Sequence, residues 1–339
     1  MKIESILYDK LDDKKVLCKV CSHYCLIDDN KYGFCLTRKN ERGTLYSYNF
    51  ALVSSDHLDK IEKQPFFNFL PSSKTYSLGG FECNMRCLNC QNYHISQSYG
   101  ENIGVTEILP EKAIKNATSK GCKSIAWTYN EPTIYLEYVL ETSILSHETG
   151  LKNVYVSNGY MTSEALDILL PHIDAFSIDL KSMSNDFYKE VCQAKLNPIL
   201  NNLKKIYKNN KHLEITNLLI DGYNDSEEII KELVGFIATE LGNDVPLHFL
   251  RFFPNYQMGD LLPTAIETLN KAKQIAIDAG LQYVYLGNVE SNQNSFCPNC
   301  GELLIERTRP KMGSYKIIDK NKIKNNKCSN CGMELNFKI

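Results

Sequence analysis

Between about residues 74 and 288, seven short β-rich runs alternate with helical patterns, and this restricts the chain to α/β folds built on a parallel sheet. The runs span 74–78, 124–128, 153–157, 175–180, 213–219, 247–252 and 282–286. Seven such strands suit a barrel or partial barrel, and a 339-residue chain accommodates one with a small unit at each end. Pro110, Pro132 and Pro263 are placed for first turns of helices, Asp225 with Glu228 reads as a capping box, and Gly150 and Gly280 close two helices. Apolar residues at helical spacing mark buried faces: Leu136, Val139, Leu140 and Ile144; Ile230, Leu233, Ile237 and Leu241; Ile266, Leu269, Ala272 and Ala276.

Thirteen cysteines are superimposed on this pattern, and eleven fall into three clusters. No apolar leader precedes the first charged residues, and no run of about 18 apolar residues spans a membrane, so the chain reads as cytoplasmic. Thiols there stay reduced, and clusters bind metal or do redox chemistry rather than form disulfides. A formal charge of −2 gives no field that would draw the chain to nucleic acid or anionic lipid.

The central cluster, Cys83, Cys87 and Cys90, has the spacing C-x3-C-x2-C in GGFECNMRCLNCQN, directly after the first strand of the alternation. In a parallel barrel that loop lies on the face that carries active sites. Three thiolates anchor three irons of a [4Fe-4S] cluster and leave the fourth open to an exogenous ligand. The other uses of such a triplet are a three-cysteine zinc site completed from a distance, or a Cys87/Cys90 redox pair. Polar residues also stand where later apolar runs stop: Asn130 and Glu131, Ser157 and Asn158, Asp179 and Lys181, Asn217, Arg251 and Asn288. A helix cap, an Asn-Gly turn and a surface ion pair are the ordinary uses of the first three pairs.

The triplet resembles the signature of the radical S-adenosylmethionine (SAM) superfamily, which follows the first strand of a partial (β/α) barrel. Asn89 stands where that family usually has an aromatic residue. The order of LCKVCSHYCLI, YGFCLTR, SLGGFECNMRCLNCQN, TYNEPTIYLEY, VSNGY, DAFSIDLK, FLRFFPNYQM, YLGNV and FCPNCGELLIER is similar to the AmmeMemoRadiSam-system radical SAM enzymes, relatives of pyruvate formate-lyase activating enzyme. Gln64 and Asn68 depart from that family's Lys-Pro-aromatic-aromatic-His pattern. The resemblance implies a [4Fe-4S] cluster on Cys83, Cys87 and Cys90, and SAM held by Asn130, Glu131, Ser157, Asn158, Asp179 and Lys181; by their place at strand ends, Asn288 and Arg251 are further candidate contacts, Arg251 for the cofactor carboxylate or a substrate anion. It implies reductive cleavage of SAM to methionine and a 5′-deoxyadenosyl radical that abstracts hydrogen from a substrate. It further implies Memo-like and AMMECR-like partners, and a flavodoxin or ferredoxin as electron donor. Two other functions remain open: a glycyl-radical-enzyme activase, and a non-catalytic multi-zinc interaction protein.

Cys297, Cys300, Cys328 and Cys331 form two C-x2-C knuckles, the arrangement of a zinc ribbon. Cys18, Cys21, Cys25 and Cys35 supply four thiols less regularly and suit zinc or an auxiliary iron–sulfur cluster, with His23 expected at the surface. The expected organisation is a metal-stapled N-terminal unit over 1–72, a barrel over 73–290 and a zinc-ribbon-like unit over 291–339. Cys122 is expected only to pack; Cys192, after the fourth strand and near the mouth, is expected to pack as a small buried hydrophobe, the other reading being a hydrogen-atom donor or substrate contact.

Overall fold

A computed structural model describes residues 1–98, 103–308 and 315–339. Its centre is an eight-stranded sheet. In chain order the strands are β1 (Ser55–Lys60), β2 (Lys74–Gly79), β3 (Ser124–Trp127), β4 (Lys152–Ser157), β5 (Ala175–Asp179), β6 (His212–Leu219), β7 (Leu247–Arg251) and β8 (Val284–Gly287). Spatial order follows chain order, β2 to β8 all pair in parallel, and β1 adds antiparallel to β2. Each strand from β2 to β7 is followed by a helix: α1 (Pro110–Ser119), α2 (Leu136–Glu148), α3 (Ser163–Leu169), α4 (Leu196–Lys208), α5 (Glu227–Phe236) and α6 (Ile266–Asp278). This is the βα alternation of a partial barrel, and the seven expected strands are β2 to β8 within a few residues.

β1 was not expected. Its sequence, SDHLDK, carries one aliphatic residue among charged and polar ones, as suits an edge strand that must not invite another chain. It lies inside 1–72 yet belongs to the barrel sheet. The rest of that segment contributes to three small antiparallel sheets: Ile3–Glu4 with Thr44–Ser47 and Arg38–Glu41, Tyr8–Lys10 with Val16–Cys18 and Leu26–Ile27, and Leu52–Val53 with Thr106–Glu107. Val16, Val20, Ile27, Leu45 and Phe50 share one core with Leu136 and Val139 of α2. Arg38 and Glu137, both nearly without exposure, join the two across that core: Nη1 and Nη2 donate to the two carboxylate oxygens at 2.8 and 2.7 Å.

The helix ends differ in detail from expectation. Ser226, not Asp225, caps α5 by accepting from Ile229 N–H, while Asp225 accepts from Gly222 N–H. Pro263 lies before the first turn of α6. Gly150 and Gly280 do take positive φ, 78° and 91°, at the helix ends. Of the expected stripes, only Ile144 and Ile266 are exposed.

The wall is open between its edges β1 and β8, and the stretch after β1 closes the floor. Phe66 and Phe69 pack against Ala126, Val154 and Ala175 inside the barrel. Glu214 of β6, fully buried, accepts the backbone N–H groups of Phe67 and Asn68 at 3.0 and 2.8 Å and contacts the imidazoles of His212 and His248 at 3.0 and 2.7 Å. The C-terminal strands form a second core with Phe67, Tyr283 and Tyr285, and buried Arg307 donates to the Phe67 carbonyl at 2.6 Å.

Candidate active site at the barrel mouth

The loop carrying Cys83, Cys87 and Cys90 leaves β2 through Gly79 and Gly80, which lie against the turn after β3. A Cβ on Gly80 would meet the Tyr135 ring at 2.9 Å, and one on Gly79 would meet Tyr129 at 2.9 Å, so only glycine lets the loop enter this closely. Asn130 locks the entry: its Oδ1 accepts Gly80 N–H at 2.9 Å and its Nδ2 donates to the Glu82 carbonyl at 2.9 Å. His23 and Arg86 tie the loop to the N-terminal region. His23 Nε2 lies 2.7 Å from the Asn84 carbonyl, and Arg86 donates to the Phe34 carbonyl at 2.6 Å. His23 is therefore not the surface residue expected; it is half-buried, stacked on Phe34.

The three thiols open onto a cavity of about 580 Å³ at the C-terminal ends of the strands. It is lined by seven of the expected cofactor contacts, Asn130, Glu131, Ser157, Asn158, Asp179, Lys181 and Asn288. Arg251 is absent from it. Leu250 faces the cavity, so strand alternation turns Arg251 away, where its Nε donates to the Thr264 carbonyl at 2.8 Å and its guanidinium lies over Phe253. Asn217 likewise serves the backbone, donating to the Leu180 carbonyl at 2.7 Å.

Glu131 organises one wall. Its Oε1 accepts from Ser157 Oγ at 2.8 Å and from Thr133, and its Oε2 accepts Asn158 N–H at 2.8 Å. Burial raises its pKa against these donors. Held this way, Asn158 reaches the triad, with Nδ2 2.7 Å from Asn84 Oδ1 and 3.8 Å from Cys83 Sγ. On the opposite wall Lys181 Nζ donates to Asp179 at 2.9 Å. Burial would lower the lysine, but Asp179 and Cys87 beside it hold its pKa well above the ordinary value.

Burial pushes the Cys83 and Cys90 thiols up, the latter to about 11. Cys87 is shifted down, the neighbouring Cys192 thiol outweighing burial. Cys192 is buried, as expected, and its carbonyl accepts Arg86 N–H from the cysteine loop at 3.0 Å. Three thiols on one loop with no fourth at the cavity suit a four-iron cluster with one open iron. Asn89 Oδ1, on the cavity lining and buried without a hydrogen-bond partner, is a polar atom that a bound polar group would satisfy. The segment near Lys63 to Phe69, whose departures from the family pattern put a substrate role in doubt, does reach this cavity through Lys63, Gln64 and Pro65, because β1 joins the sheet edge and carries it to the mouth.

A second cavity, of about 390 Å³, shares Lys63, Pro65, Leu250 and Asn288 with the first. Asp59, Glu62, Phe67, His248, Gly287 and Tyr315 complete it, so it lies at the seam between β1 and β8.

The C-terminal quartet is the one group of three or more His, Cys, Asp or Glu among the described residues whose ligand atoms all lie within 4.8 Å of one another. Cys297 and Cys331 sulfurs are 3.6 Å apart, and Cys300 and Cys328 are 3.8 Å apart. Tetrahedral zinc with Zn–S of about 2.3 Å requires sulfurs about 3.8 Å apart. Cys18, Cys21, Cys25 and Cys35 are near one another but not gathered to that limit. No helix among the described residues is long and apolar enough to cross a membrane.

The sequence model of the Radical SAM superfamily matches residues 79–234. The chain is 42% identical over 336 residues to the uncharacterized protein MJ0808 of Methanocaldococcus jannaschii, covering 98% of this chain and 99% of that one. It is 22% identical over 219 residues to the 4-hydroxyphenylacetate decarboxylase activating enzyme of Clostridioides difficile strain CD196, covering 60% of this chain and 68% of the relative. Its fold matches the crystal structure of a radical SAM methyltransferase from Sphaerobacter thermophilus with a TM-score of 0.50 at 15% identity, over 64% of this chain and 67% of that one.

Proposed function

The chain belongs to the radical SAM superfamily, and we propose that it cleaves SAM at the barrel mouth and directs the resulting radical at a small substrate in the adjoining cavity. The observation that carries this is the opening of Cys83, Cys87 and Cys90 into a polar cavity that shares four wall residues with a second one. When bound, the cluster and SAM supply a one-electron cleavage to methionine and a 5′-deoxyadenosyl radical. The protein's own part is to hold and orient. Cys83, Cys87 and Cys90 take three irons, and the ring of Asn130, Ser157, Asn158, Asp179 and Lys181 offers donors and acceptors to the amino, carboxylate and ribose groups of SAM. Glu131 fixes Ser157 and Asn158 in that ring. Asn288 lines both cavities and would contact SAM from one side and a substrate from the other.

The second cavity, half open beside the mouth and lined by the rings of Phe67, His248 and Tyr315, offers a small-molecule substrate a place, and this supports the small-molecule reading. Similarity to an activating enzyme keeps the glycyl-radical activase as the second reading. Memo-like and AMMECR-like partners and a flavodoxin or ferredoxin donor are part of this proposal through the family resemblance. The sulfur spacing supports structural zinc at Cys297, Cys300, Cys328 and Cys331. The N-terminal quartet is proposed as a metal site for zinc or an iron–sulfur cluster.

The test is production of methionine and 5′-deoxyadenosine by anaerobically purified, iron-reconstituted protein with SAM and a strong reductant. Cleavage is expected in the native chain and lost in Cys87→Ala; cleavage at the same rate in that variant overturns the assignment. Gly287→Ala tests the second cavity. Its new Cβ would lie 2.2 Å from Leu250 Cδ2, forcing a residue common to both cavities to move. Uncoupled cleavage should persist while its stimulation by a genuine substrate falls.

A further inference from the structure

We propose that the seam cavity takes a small molecule carrying a protonated primary or secondary amine on an apolar body, and that Glu62 is the carboxylate that receives the amine. This names the substrate class for the cavity described above, and it rests on that cavity being the place where the substrate binds.

Two carboxylates line the cavity, and their hydrogen bonds set them apart. Asp59 is fully engaged: Oδ1 accepts from Lys63 Nζ at 2.8 Å, and Oδ2 accepts from Gln64 Nε2 at 3.0 Å and from Tyr129 OH at 2.5 Å. Lys63, the cation on the lining, is therefore already paired. Glu62 stands on the short turn Ile61–Lys63 after β1, is only 4% exposed, and has half of its carboxylate in use. Its Oε1 accepts Ser72 N–H at 2.6 Å, while Oε2 has no partner among the described residues. Arg307 acts on Glu62 only from a distance. Its Nη1 donates to Ser295 Oγ and its Nη2 to the Phe67 carbonyl, each at 2.6 Å, and its Nε is also without a partner, so the two orphan atoms do not satisfy each other.

A buried carboxylate oxygen without a donor is costly, and a charged N–H is the donor that relieves it best. Burial raises the Glu62 pKa in spite of the Ser72 N–H and Arg307, which is the behaviour of a carboxyl short of partners. A ligand carboxylate would set a second negative charge beside it, and a quaternary ammonium would bring charge without an N–H. The rest of the lining suits an apolar body. Phe67 lies 4.8 Å from His248 and 5.4 Å from Tyr315 between ring centroids, and Pro65 and Leu250 add aliphatic surface. Glu62 and Phe67 line the seam cavity alone, whereas Leu250 and Asn288 line both cavities. An amine held at Glu62 thus leaves the body of the molecule to extend toward the wall shared with the cysteine triad's cavity.

The experiment is isothermal titration calorimetry, under anaerobic conditions, of the full-length iron-reconstituted protein with SAM. The probes are benzyl, phenethyl and indolylethyl bodies, each as amine, alcohol and carboxylate. Amines should bind the native protein about tenfold tighter than the matched alcohols and carboxylates. Glu62→Gln, whose amide oxygen can still accept Ser72 N–H, should weaken the amines by about tenfold and leave the alcohols within about twofold. Gly287→Ala, which forces Leu250 to move, should weaken amines and alcohols alike. Alcohols or carboxylates that bind as tightly as amines, or an amine preference that survives in Glu62→Gln, overturn the proposal and leave the cavity as a substrate site. Amines and alcohols weakened equally in Glu62→Gln also overturn it, because Glu62 then only shapes the wall. Binding of none of the probes, or binding indifferent to Gly287→Ala, overturns the reading of the cavity and the proposal with it.

Discussion

Glu214 is a charged side chain in the floor of a barrel, and its partners explain why it is tolerated there. Burial works to raise its pKa, but hydrogen bonds from His212 and His248 outweigh that and hold it at about 2, below the ordinary 4.5. A carboxyl depressed on folding stabilises the native state above the unfolded pKa and loses that contribution as pH falls through the folded one. Acid unfolding should therefore draw on Glu214 between about pH 4.5 and about 2. Glu214→Gln should lower stability at pH 7 by roughly 1–3 kcal/mol and flatten the acid limb of a stability–pH curve. An unchanged acid limb would show that the floor network does not carry this charge. At this scale the sequence was informative where chemistry follows from position after a strand, as for Asn158 and Lys181. It was silent on Glu214, whose partners come from distant segments, and misleading for Arg251, where one step of strand alternation reverses the face.

Arg38 belongs to a small N-terminal strand and Glu137 to α2, and their paired, buried hydrogen bonds join two elements about a hundred residues apart in the chain. Removing one partner strands a charge in the core, so Arg38→Ala should cost roughly 3–5 kcal/mol in chemical denaturation. A loss below about 1 kcal/mol would mean that the N-terminal sheets hold to the barrel by apolar contact alone. The C-terminal knuckles make a separate prediction: Cys300→Ser should remove about one zinc per chain, counted by elemental analysis, and loosen the segment without touching iron at the triad. Zinc retained in full would place that metal elsewhere. The parallel strands and most helices were legible because buried runs and capped helices write their periods into the sequence. β1 was not, since an edge strand rich in charge resembles a loop. The N-terminal sheets were not, because strands of two to four residues are too short for a period.

Across the whole molecule, the partial barrel brings one cysteine loop and a ring of strand-end polar groups to one end, the floor is sealed by Phe66 to Phe69 and Glu214, and the seam cavity runs from the mouth to Phe67 and His248 at the floor. The seam cavity was not legible in the sequence, because it needs β1 and β8, far apart in the chain, to flank one opening. The central claim, an iron–sulfur cluster with an open iron at the triad, is tested most directly by electron paramagnetic resonance of the reduced, reconstituted protein with and without SAM. A control with Cys83, Cys87 and Cys90 all changed to Ala separates this signal from any other cluster. A signal that changes on adding SAM in the native protein and is missing from the control is the predicted result. Zinc without iron at the triad, or a cluster signal identical with and without SAM, would contradict the account.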